Sequence, residues 1–268
     1  MQGTPPRRRR ERMRQMKFVT FNIRCDYDQD GENSFRFRKP LILEKIAKEQ
    51  PDILCFQEVL PHVAAWLKAN LTDYYVVGCG RGESLDGEQV SIAYRKDRYN
   101  LIQMDTFWLS ETPLVPASRY PEQSDCPRVT TVALFAESDT GRTFRVANTH
   151  LDHIGVQARA RGLTQILEYL ASQTLFPDSP VMLAGDFNAA PDSEELRVFG
   201  KFPGYVNATE GIGITFHGFM RGNAEHIDYI YLRGAVACEG VEKWTDVRDG
   251  VYLSDHYPIC ARLAWADD

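Results

Sequence analysis

The sequence feature that most constrains the fold is the stretch at residues 181–191, VMLAGDFNAAP. It begins with a short apolar run, typical of a buried strand, and Gly185 then lets the backbone turn sharply. Asp186 and Asn188 follow two residues apart, and Pro191 closes the turn. Side chains two apart on extended backbone point the same way, so a carboxylate and a carboxamide are presented together, at the kind of strand end where α/β sheets carry their chemistry. An ordinary exposed turn is the alternative, because glycine, aspartate, asparagine and proline are common turn residues.

Short apolar runs of strand type recur along the chain and alternate with a few helical patterns. Strands are predicted at 17–23, 52–56, 74–77, 90–94, 101–108, 129–136, 143–148, 181–184, 226–232 and 259–263. Helices are predicted at 40–48, with Pro40 in the first turn, at 61–69, and over the segment whose apolar stripe includes Leu163 and Leu170. The alternation predicts an α/β fold, and the lack of repeats or low-complexity linkers predicts one domain over 16–268.

Polar side chains lie at the ends of six predicted strands. They are Asn22, Glu58, His150, the pair Asp186 and Asn188, Asp228, and the pair Asp255 and His256. Any one of them can be a turn residue or a hydrogen-bonded core group, and Glu58 can also be an acid at the start of the next helix. Repetition at six strand ends favours a shared site. Its oxygen-rich ligands suit magnesium, with manganese as a possible substitute, whereas no sulfur or three-histidine set points to zinc.

The N-terminal residues 1–15 differ in charge from the rest of the chain. They hold six arginines and one acid, although the whole chain has a net charge of −6. We expect this segment to be a disordered basic tail, or to precede the native start at Met16; a nucleic-acid-binding arm is the alternative. The acidic remainder disfavours tight binding along duplex nucleic acid, which requires a basic footprint.

The six cysteines lie far apart and form no Cys-x-x-Cys pair. This spacing disfavours a zinc ribbon or a disulfide framework and favours a reducing, cytoplasmic location. The sequence has no run of about 18 apolar residues, and no apolar segment follows its basic start, so it predicts neither a membrane span nor a secretory signal. It indicates no protein partner.

The strand-end residues lie in short motifs that resemble those of a known family. In chain order the motifs are Phe21-Asn22, Gln57-Glu58, Thr149-His150-Leu151, Gly185-Asp186-Phe187-Asn188, Ile227-Asp228-Tyr229 and Ser254-Asp255-His256. They are similar in type and order to those of the endonuclease/exonuclease/phosphatase superfamily, which includes deoxyribonuclease I, abasic-site endonucleases and nocturnin-like deadenylases. The segments at 107–113, 150–153 and 215–219 look like a bacterial branch of it. The resemblance implies two mixed β-sheets packed as a sandwich with flanking helices, a four-layer deoxyribonuclease I-like fold.

The resemblance also implies a metal-dependent phosphoesterase and a role for each motif. Glu58 would be the principal magnesium ligand, with Asn22 and Asp255 beside it. Asp186 would orient or deprotonate the attacking water, and Asn188 would hold that water or a phosphate oxygen.

Two histidines complete the catalytic set that the resemblance implies. His256, oriented by Asp228, would bind a non-bridging phosphate oxygen. His150 would do the same or assist the leaving group, paired with Glu88. We expect both histidines to be protonated, because a neighbouring carboxylate raises the pKa of an imidazole.

The substrate is predicted to be a small phosphorylated molecule, a short single-stranded nucleic acid end or a lipid headgroup. His217, Arg128 and His153 are the predicted substrate-binding residues, and the proline-rich loop at 109–127 is predicted to wall in a compact ligand. The alternative enzyme is a nucleic-acid hydrolase, either an abasic-site endonuclease or a deadenylase-like exonuclease, with the arginines at 7–10 providing electrostatic reach. The alternative from another class is a non-catalytic binding module, which would lack one of the motifs.

Overall fold

The computed structural model of the protein describes residues 15–266. Residues 1–14 of the predicted basic tail lie outside this described part. Within it, the α-helices are α1 (Phe35–Glu49), α2 (Pro61–Asn70) and α3 (Val156–Ala171). The strands are β1 (Met16–Asn22), β2 (Ile53–Val59), β3 (Tyr74–Val77), β4 (Gln89–Arg95), β5 (Tyr99–Trp108), β6 (Val129–Glu137), β7 (Thr143–His150), β8 (Val181–Asp186), β9 (Tyr205–Asn207), β10 (Asp228–Arg233), β11 (Val236–Lys243), β12 (Val247–Arg248), β13 (Val251–Tyr252) and β14 (Ile259–Trp265).

Two six-stranded mixed sheets dominate the fold. The strand order is β11-β14-β1-β2-β4-β3 in the first sheet and β5-β6-β7-β8-β10-β9 in the second. Each sheet has one parallel pair at its centre, β1 with β2 and β7 with β8, and the pairs on either side are antiparallel. Because parallel strands end at the same edge, each sheet brings two carboxyl-terminal strand ends together.

The sheets pack face to face, and helices cover both outer faces. Phe18 and Ile53 of the first sheet share a buried cluster with Phe135 and Phe144 of the second. The helices α1 and α2 pack on the outer face of the first sheet, and α3 packs on the second through a stripe that includes Leu163. Each fully buried side chain of this kind contributes about 1.5–3 kcal/mol. The four layers confirm the predicted sandwich.

Several predicted element boundaries differ from the structure by a few residues, and two of them have a clear cause. Helix α1 begins at Phe35 and contains Pro40, which was expected in its first turn. Buried Phe35 and Arg38 anchor the extra turn, and the Arg38 guanidinium donates to the carbonyls of Asn33 and Ile23, so tertiary contacts offset the proline. Strand β8 runs on through Asp186, since both neighbouring strands extend the ladder to that residue.

Strands β9, β11, β12 and β13 were not predicted. The longest, β11, has only one buried residue and has a bulge near its middle, so it lacks a regular apolar alternation. Among the helices in residues 15–266, none has the length and apolar character needed to cross a membrane.

Candidate active site

The ends of the central strands meet at one edge of the sandwich and surround a cavity of about 630 Å³. In the second sheet, Asp186 lies directly opposite both His150 and Asp228. In the first, Asn22 ends β1 and Glu58 lies near the end of β2. Nine of the predicted site residues line the cavity: Glu58, Glu88, Arg128, His150, His153, Asp186, Asn188, Asp255 and His256.

The backbone is strained at four non-glycine lining residues. Arg24, Glu58, Asn188 and Phe219 have φ angles of 60°, 60°, 48° and 53°, a left-handed region that costs a non-glycine residue about 1–2 kcal/mol. At Glu58 the regular pairing of β2 with β4 is interrupted between Phe56 and Val59. Such a β-bulge re-aims a side chain, and here the bulged residue is Glu58, which faces the cavity. Glu58 is thus part of the strand and not an acid at the start of α2.

Asn22 joins the two sheets at this edge. Its Nδ2 donates to Glu58 Oε1 and to Asp186 Oδ2, both at 3.0 Å. Its Oδ1 accepts the backbone N–H of Arg24 at 3.0 Å. Because that oxygen has a partner, Asn22 acts here as a bridge between two carboxylates, and its role as a metal ligand stays a prediction.

Glu58 and Asp255 are the carboxylates that fit a hard divalent cation. Burial alone would raise the pKa of Glu58, but the N–H of Cys25 at 2.7 Å and the Asn22 amide hold it below its ordinary value. Burial and the charge of Glu58 raise the pKa of Asp255, although His256 opposes them. Two buried carboxylates that line one cavity, one of which raises the pKa of the other, are what a bound cation would neutralise.

Arg24 supplies part of that neutralisation in this structure. Its Nε lies 3.4 Å from Asp255 Oδ2 and 3.1 Å from Asp30 Oδ2. The arginine follows the strand-end Asn22 by two residues, and this adjacency is the signal that could have identified it from the sequence.

His256 lies between two aspartates and is the cationic histidine of the site. Its Nδ1 is 2.9 Å from Asp228 Oδ2, and its Nε2 is 3.7 Å from Asp186 Oδ2. Burial lowers its pKa, but the charges of Asp228 and Asp186 outweigh burial and raise the pKa of His256 to about 10. Burial and the charge of Asp228 also raise the pKa of Asp186 to about 7. These three residues could hold a metal by distance, but a protonated His256 carries hydrogen on both ring nitrogens and has no lone pair for a metal.

His150 differs from the expectation. Its Nε2 lies 3.5 Å from Asp186 Oδ2, and within the described residues its Nδ1 has no hydrogen-bond partner. The predicted partner Glu88 is bound instead to Arg81 Nη2 at 2.6 Å. The predicted pairing is therefore wrong. Burial, followed by the charges of Arg128 and Arg81, lowers the pKa of His150 well below its ordinary value, so this imidazole is neutral near pH 7 and not protonated as expected.

Asn188 is held so that its amide oxygen remains for the cavity. Its backbone N–H donates to Asp186 Oδ1 at 2.9 Å, and its Nδ2 donates to the carbonyl of Leu151 at 3.0 Å. The turn after β8 thus presents Asp186 and Asn188 together, as the sequence predicts.

The predicted substrate-binding residues separate into two groups. Arg128 and His153 line the cavity and contact each other, with Nη2 and Nδ1 2.9 Å apart. His217 is buried behind the wall, where its ring packs against Tyr257 and Tyr252 with centroids 4.2 and 5.0 Å away. Its predicted contact with substrate therefore has no counterpart in this structure.

The loop at 109–127 reaches the cavity only at its end. Cys126 lines the cavity, whereas Leu109 and Tyr120 pack into the cluster that includes α3. Aromatic side chains that were not predicted form other parts of the wall, namely Tyr27, Phe216 and Phe219. Tyr27 comes from a loop with no strand-end pattern. Phe216 and Phe219 lie in the segment at 215–219, whose resemblance to the family suggested no role for them.

The fold and the strand-end cluster together define a protein of the deoxyribonuclease I-like class. The sequence pattern of the Endonuclease/Exonuclease/phosphatase family matches residues 19–256. The chain belongs to this family, whose members are hydrolases that act on phosphoesters.

Solved structures share this architecture over nearly the whole chain. An endonuclease/exonuclease/phosphatase from Bacteroides vulgatus is 31% identical with a TM-score of 0.88, covering 94% of this chain and 99% of that one. A mannosyl-6-phosphatase from Bacteroides thetaiotaomicron is 26% identical with a TM-score of 0.84, covering 93% and 100%.

Protein angel of Drosophila melanogaster is similar over a smaller part of the chain. It is 28% identical over 190 residues, which are 66% of this chain and 50% of that protein. The chain thus spans about half the length of this relative.

Proposed function

We propose that this protein is a magnesium-dependent phosphoesterase that hydrolyses a compact phosphorylated molecule by in-line attack of water. The observation that carries the proposal is the surroundings of the Asp186 carboxylate. One of its oxygens lies 3.0 Å from the Asn22 amide, 3.5 Å from His150 Nε2 and 3.7 Å from His256 Nε2. Asp186 as a proton acceptor, His150 as a neutral hydrogen-bond donor and His256 as a cation therefore lie together at one point of the cavity.

Asp186 and Asn188 handle the attacking water. A carboxylate whose pKa is about 7 is half ionised near neutral pH and is well matched to accept a proton. The water donates one hydrogen bond to Asp186 and the other to the Asn188 amide oxygen. A lone pair of the water oxygen is then free to attack phosphorus. As the new P–O bond forms, the proton passes to Asp186 and the ester oxygen departs from the opposite side as an alkoxide. Solvent water protonates the alkoxide, and the resulting hydroxide takes the proton from Asp186.

The two histidines stabilise the phosphoryl group in different ways. His256 is an imidazolium and offsets the negative charge that builds up on a non-bridging oxygen. His150 is neutral and donates its Nε2 hydrogen to another such oxygen. Loss of a group of this kind costs about 10²–10³ in turnover.

Glu58 and Asp255 would hold the divalent cation, and manganese is expected to replace magnesium there. When bound, the cation neutralises charge on the phosphoryl oxygens and polarises the phosphorus centre. Asn22 holds Glu58 and Asp186 in register through its amide.

The cavity supports a compact substrate. Its volume of about 630 Å³ lies within the range of small-molecule pockets, about 300–1,000 Å³. Tyr27, Phe216 and Phe219 offer apolar faces to an organic group, and the wall also contains Arg81 and Arg128. The full-length similarity to a mannosyl-6-phosphatase supports a sugar phosphate as the first compound to test.

We further infer that residues 16–268 act as one catalytic domain in the cytoplasm. The shared core between the sheets supports a single domain. The six cysteines are free, and Cys55 and Cys260 are buried core thiols, which is compatible with a reducing compartment.

Phosphate release from a broad panel tests the proposal. The panel contains sugar phosphates, nucleotides, a lipid-headgroup phosphate, oligonucleotides and plasmid, each with magnesium, manganese or a chelator. We expect cation-dependent release from a sugar phosphate and about 10²-fold less release from Asp186→Asn. The matched control is Asp178→Asn, which removes an exposed carboxylate in the turn before β8 and should retain full activity.

Two outcomes would contradict the proposal. Release that continues undiminished with the chelator would exclude the cation-dependent reaction. Cleavage of oligonucleotides or plasmid, with every small phosphate left intact, would instead support the nucleic-acid hydrolase; repeating that assay without residues 1–15 would then test the basic segment.

A further inference from the structure

Beside His150, three basic side chains form a cluster that the proposed reaction does not use: Arg81, Arg128 and His153. All three line the cavity. Arg128 is only 4% exposed, yet within the described residues its Nε and Nη1 have no hydrogen-bond partner. A buried guanidinium with unused donors is costly unless a ligand or ordered water satisfies it.

The acidic residue beside Arg128 does not satisfy these donors. Asp152 Oδ1 lies 3.7 Å from Arg128 Nε, beyond hydrogen-bond distance. The Asp152 carboxylate instead accepts the backbone N–H and hydroxyl of Ser124 and the backbone N–H groups of Ile154 and Gly155. Asp152 therefore organises its own loop, and Arg128 has an ion-pair partner to which neither Nε nor Nη1 donates a hydrogen bond.

His153 extends the cluster toward solvent. Its Nδ1 lies 2.9 Å from Arg128 Nη2. Because a guanidinium can only donate, Nδ1 must accept, and the imidazole proton is therefore on Nε2. The His153 side chain is 47% exposed, so this N–H can reach a ligand in the cavity. Arg81 adds a second guanidinium, partly neutralised by Glu88.

We propose that Arg128, Arg81 and His153 form a subsite for a second phosphate group, so that the preferred substrate carries two phosphates on one compact scaffold. This inference rests on the proposed function for the reacting phosphate. Arginine suits the second group because its planar fork binds phosphate oxygens in a bidentate manner.

Position distinguishes this subsite from the reacting centre. His150 Nε2 lies 3.5 Å from Asp186 Oδ2, at the reacting centre. Arg128 and Arg81 are also close enough to His150 for their charges to lower its pKa. None of the hydrogen bonds or ion pairs of Arg128 in the described part of the chain involves Asp186 or His256. One phosphate can thus occupy the reacting centre while another occupies the arginine cluster.

Calorimetry with a pair of sugar phosphates tests the subsite. Fructose 6-phosphate and fructose 1,6-bisphosphate are titrated, with magnesium present, into the Asp186→Asn protein, which turns over slowly. The bisphosphate should bind at least about tenfold more tightly, and adding Arg128→Gln should weaken it by about 10–100-fold, since a charged hydrogen-bonding partner is lost. Binding of the monophosphate should change by less than about twofold.

Two further variants keep the result interpretable. His153→Ala removes a half-exposed side chain, so it tests the same subsite even if Arg128→Gln unfolds the protein; it too should reduce the preference for the bisphosphate. Arg248→Gln removes an exposed arginine paired with Glu44 and should leave the preference intact.

The subsite is overturned if the unsubstituted background shows no preference for the bisphosphate, or if Arg128→Gln or His153→Ala weakens both sugars equally. Turnover by the wild-type protein is measured separately. A preference for the bisphosphate, combined with no release from any small phosphate of the panel, would contradict the proposed function while supporting the subsite.

Discussion

Replacing Asp228 by asparagine should shift the pH range of activity, because Asp228 controls the charge of His256. The pair is 2.9 Å apart, and the two residues are 1% and 5% exposed. Asparagine keeps an acceptor for Nδ1 but removes the charge. The rise in the pKa of His256 from 6.5 to about 10 corresponds to a differential interaction on the order of 5 kcal/mol, and Asp228 is the largest favourable contributor.

The expected profile follows from the two groups that must be in opposite states. The wild-type rate requires ionised Asp186 and protonated His256, so it should be maximal between about pH 7 and about pH 10. In Asp228→Asn both limits should move to lower pH, because Asp228 raises both pKa values. At pH 8 the neutralised His256 should lower kcat by about 10²–10³-fold, with a smaller loss near pH 6.

The assay is kcat against pH from 5 to 11 for the wild type and Asp228→Asn, with Asp178→Asn as control. Stability gives an independent reading. Because the pKa of His256 is higher in the native state than in the unfolded state, protonation of His256 stabilises the fold, fully below the unfolded pKa. This stabilisation is lost as the pH rises through the native pKa. The Asp228→Asn variant should therefore lose more unfolding free energy at pH 6 than at pH 10. Unchanged pH limits in Asp228→Asn would refute the reasoning.

Three other predictions concern the cation, the backbone and a buried histidine. Glu58→Ala should reduce turnover by about 10²-fold or more and raise the magnesium concentration needed for half activity, as measured by metal titration. Gly185→Ala should destabilise by about 4 kcal/mol or more in urea unfolding, because φ is 146° and a Cβ would lie 1.9 Å from the Thr149 carbonyl oxygen; Gly200→Ala, with open space, should cost little. Burial lowers the pKa of His217 to about 4, so between pH 6.5 and about pH 4 this imidazole takes up a proton in the unfolded state but not in the native state. The unfolding free energy therefore declines as the pH falls through that range, and His217→Phe should flatten the decline. An equally steep decline in the variant would contradict this.

The sequence predicts the strand ends well because burial and chemistry coincide there. Asn22, Glu58 and Asp186 each follow a short apolar run, and that local pattern was enough to place them at one edge of the fold. Boundaries were less predictable. Asp186 belongs to β8 because partners on both sides extend the ladder, and neither partner is visible in the local stretch.

Electrostatic state was the least predictable property of the site. His150 was expected to be protonated beside Glu88, but Arg81 binds Glu88 and, with Arg128, keeps the imidazole neutral. Both arginines come from loops distant in sequence, and only the folded chain brings them to His150. His217 similarly matched a family motif but lies behind the wall, since aromatic packing determines its position.

Hydrolysis in water enriched in heavy oxygen tests the central claim most directly, namely that Asp186 directs water onto the phosphorus of a substrate ester. The reaction is run with magnesium on the sugar phosphate that the panel identifies, and the released phosphate is analysed by mass spectrometry. The account predicts one heavy oxygen in each released phosphate, with the rate of labelling about 10²-fold lower in Asp186→Asn. Unlabelled phosphate, or labelling at the wild-type rate in Asp186→Asn, would contradict it.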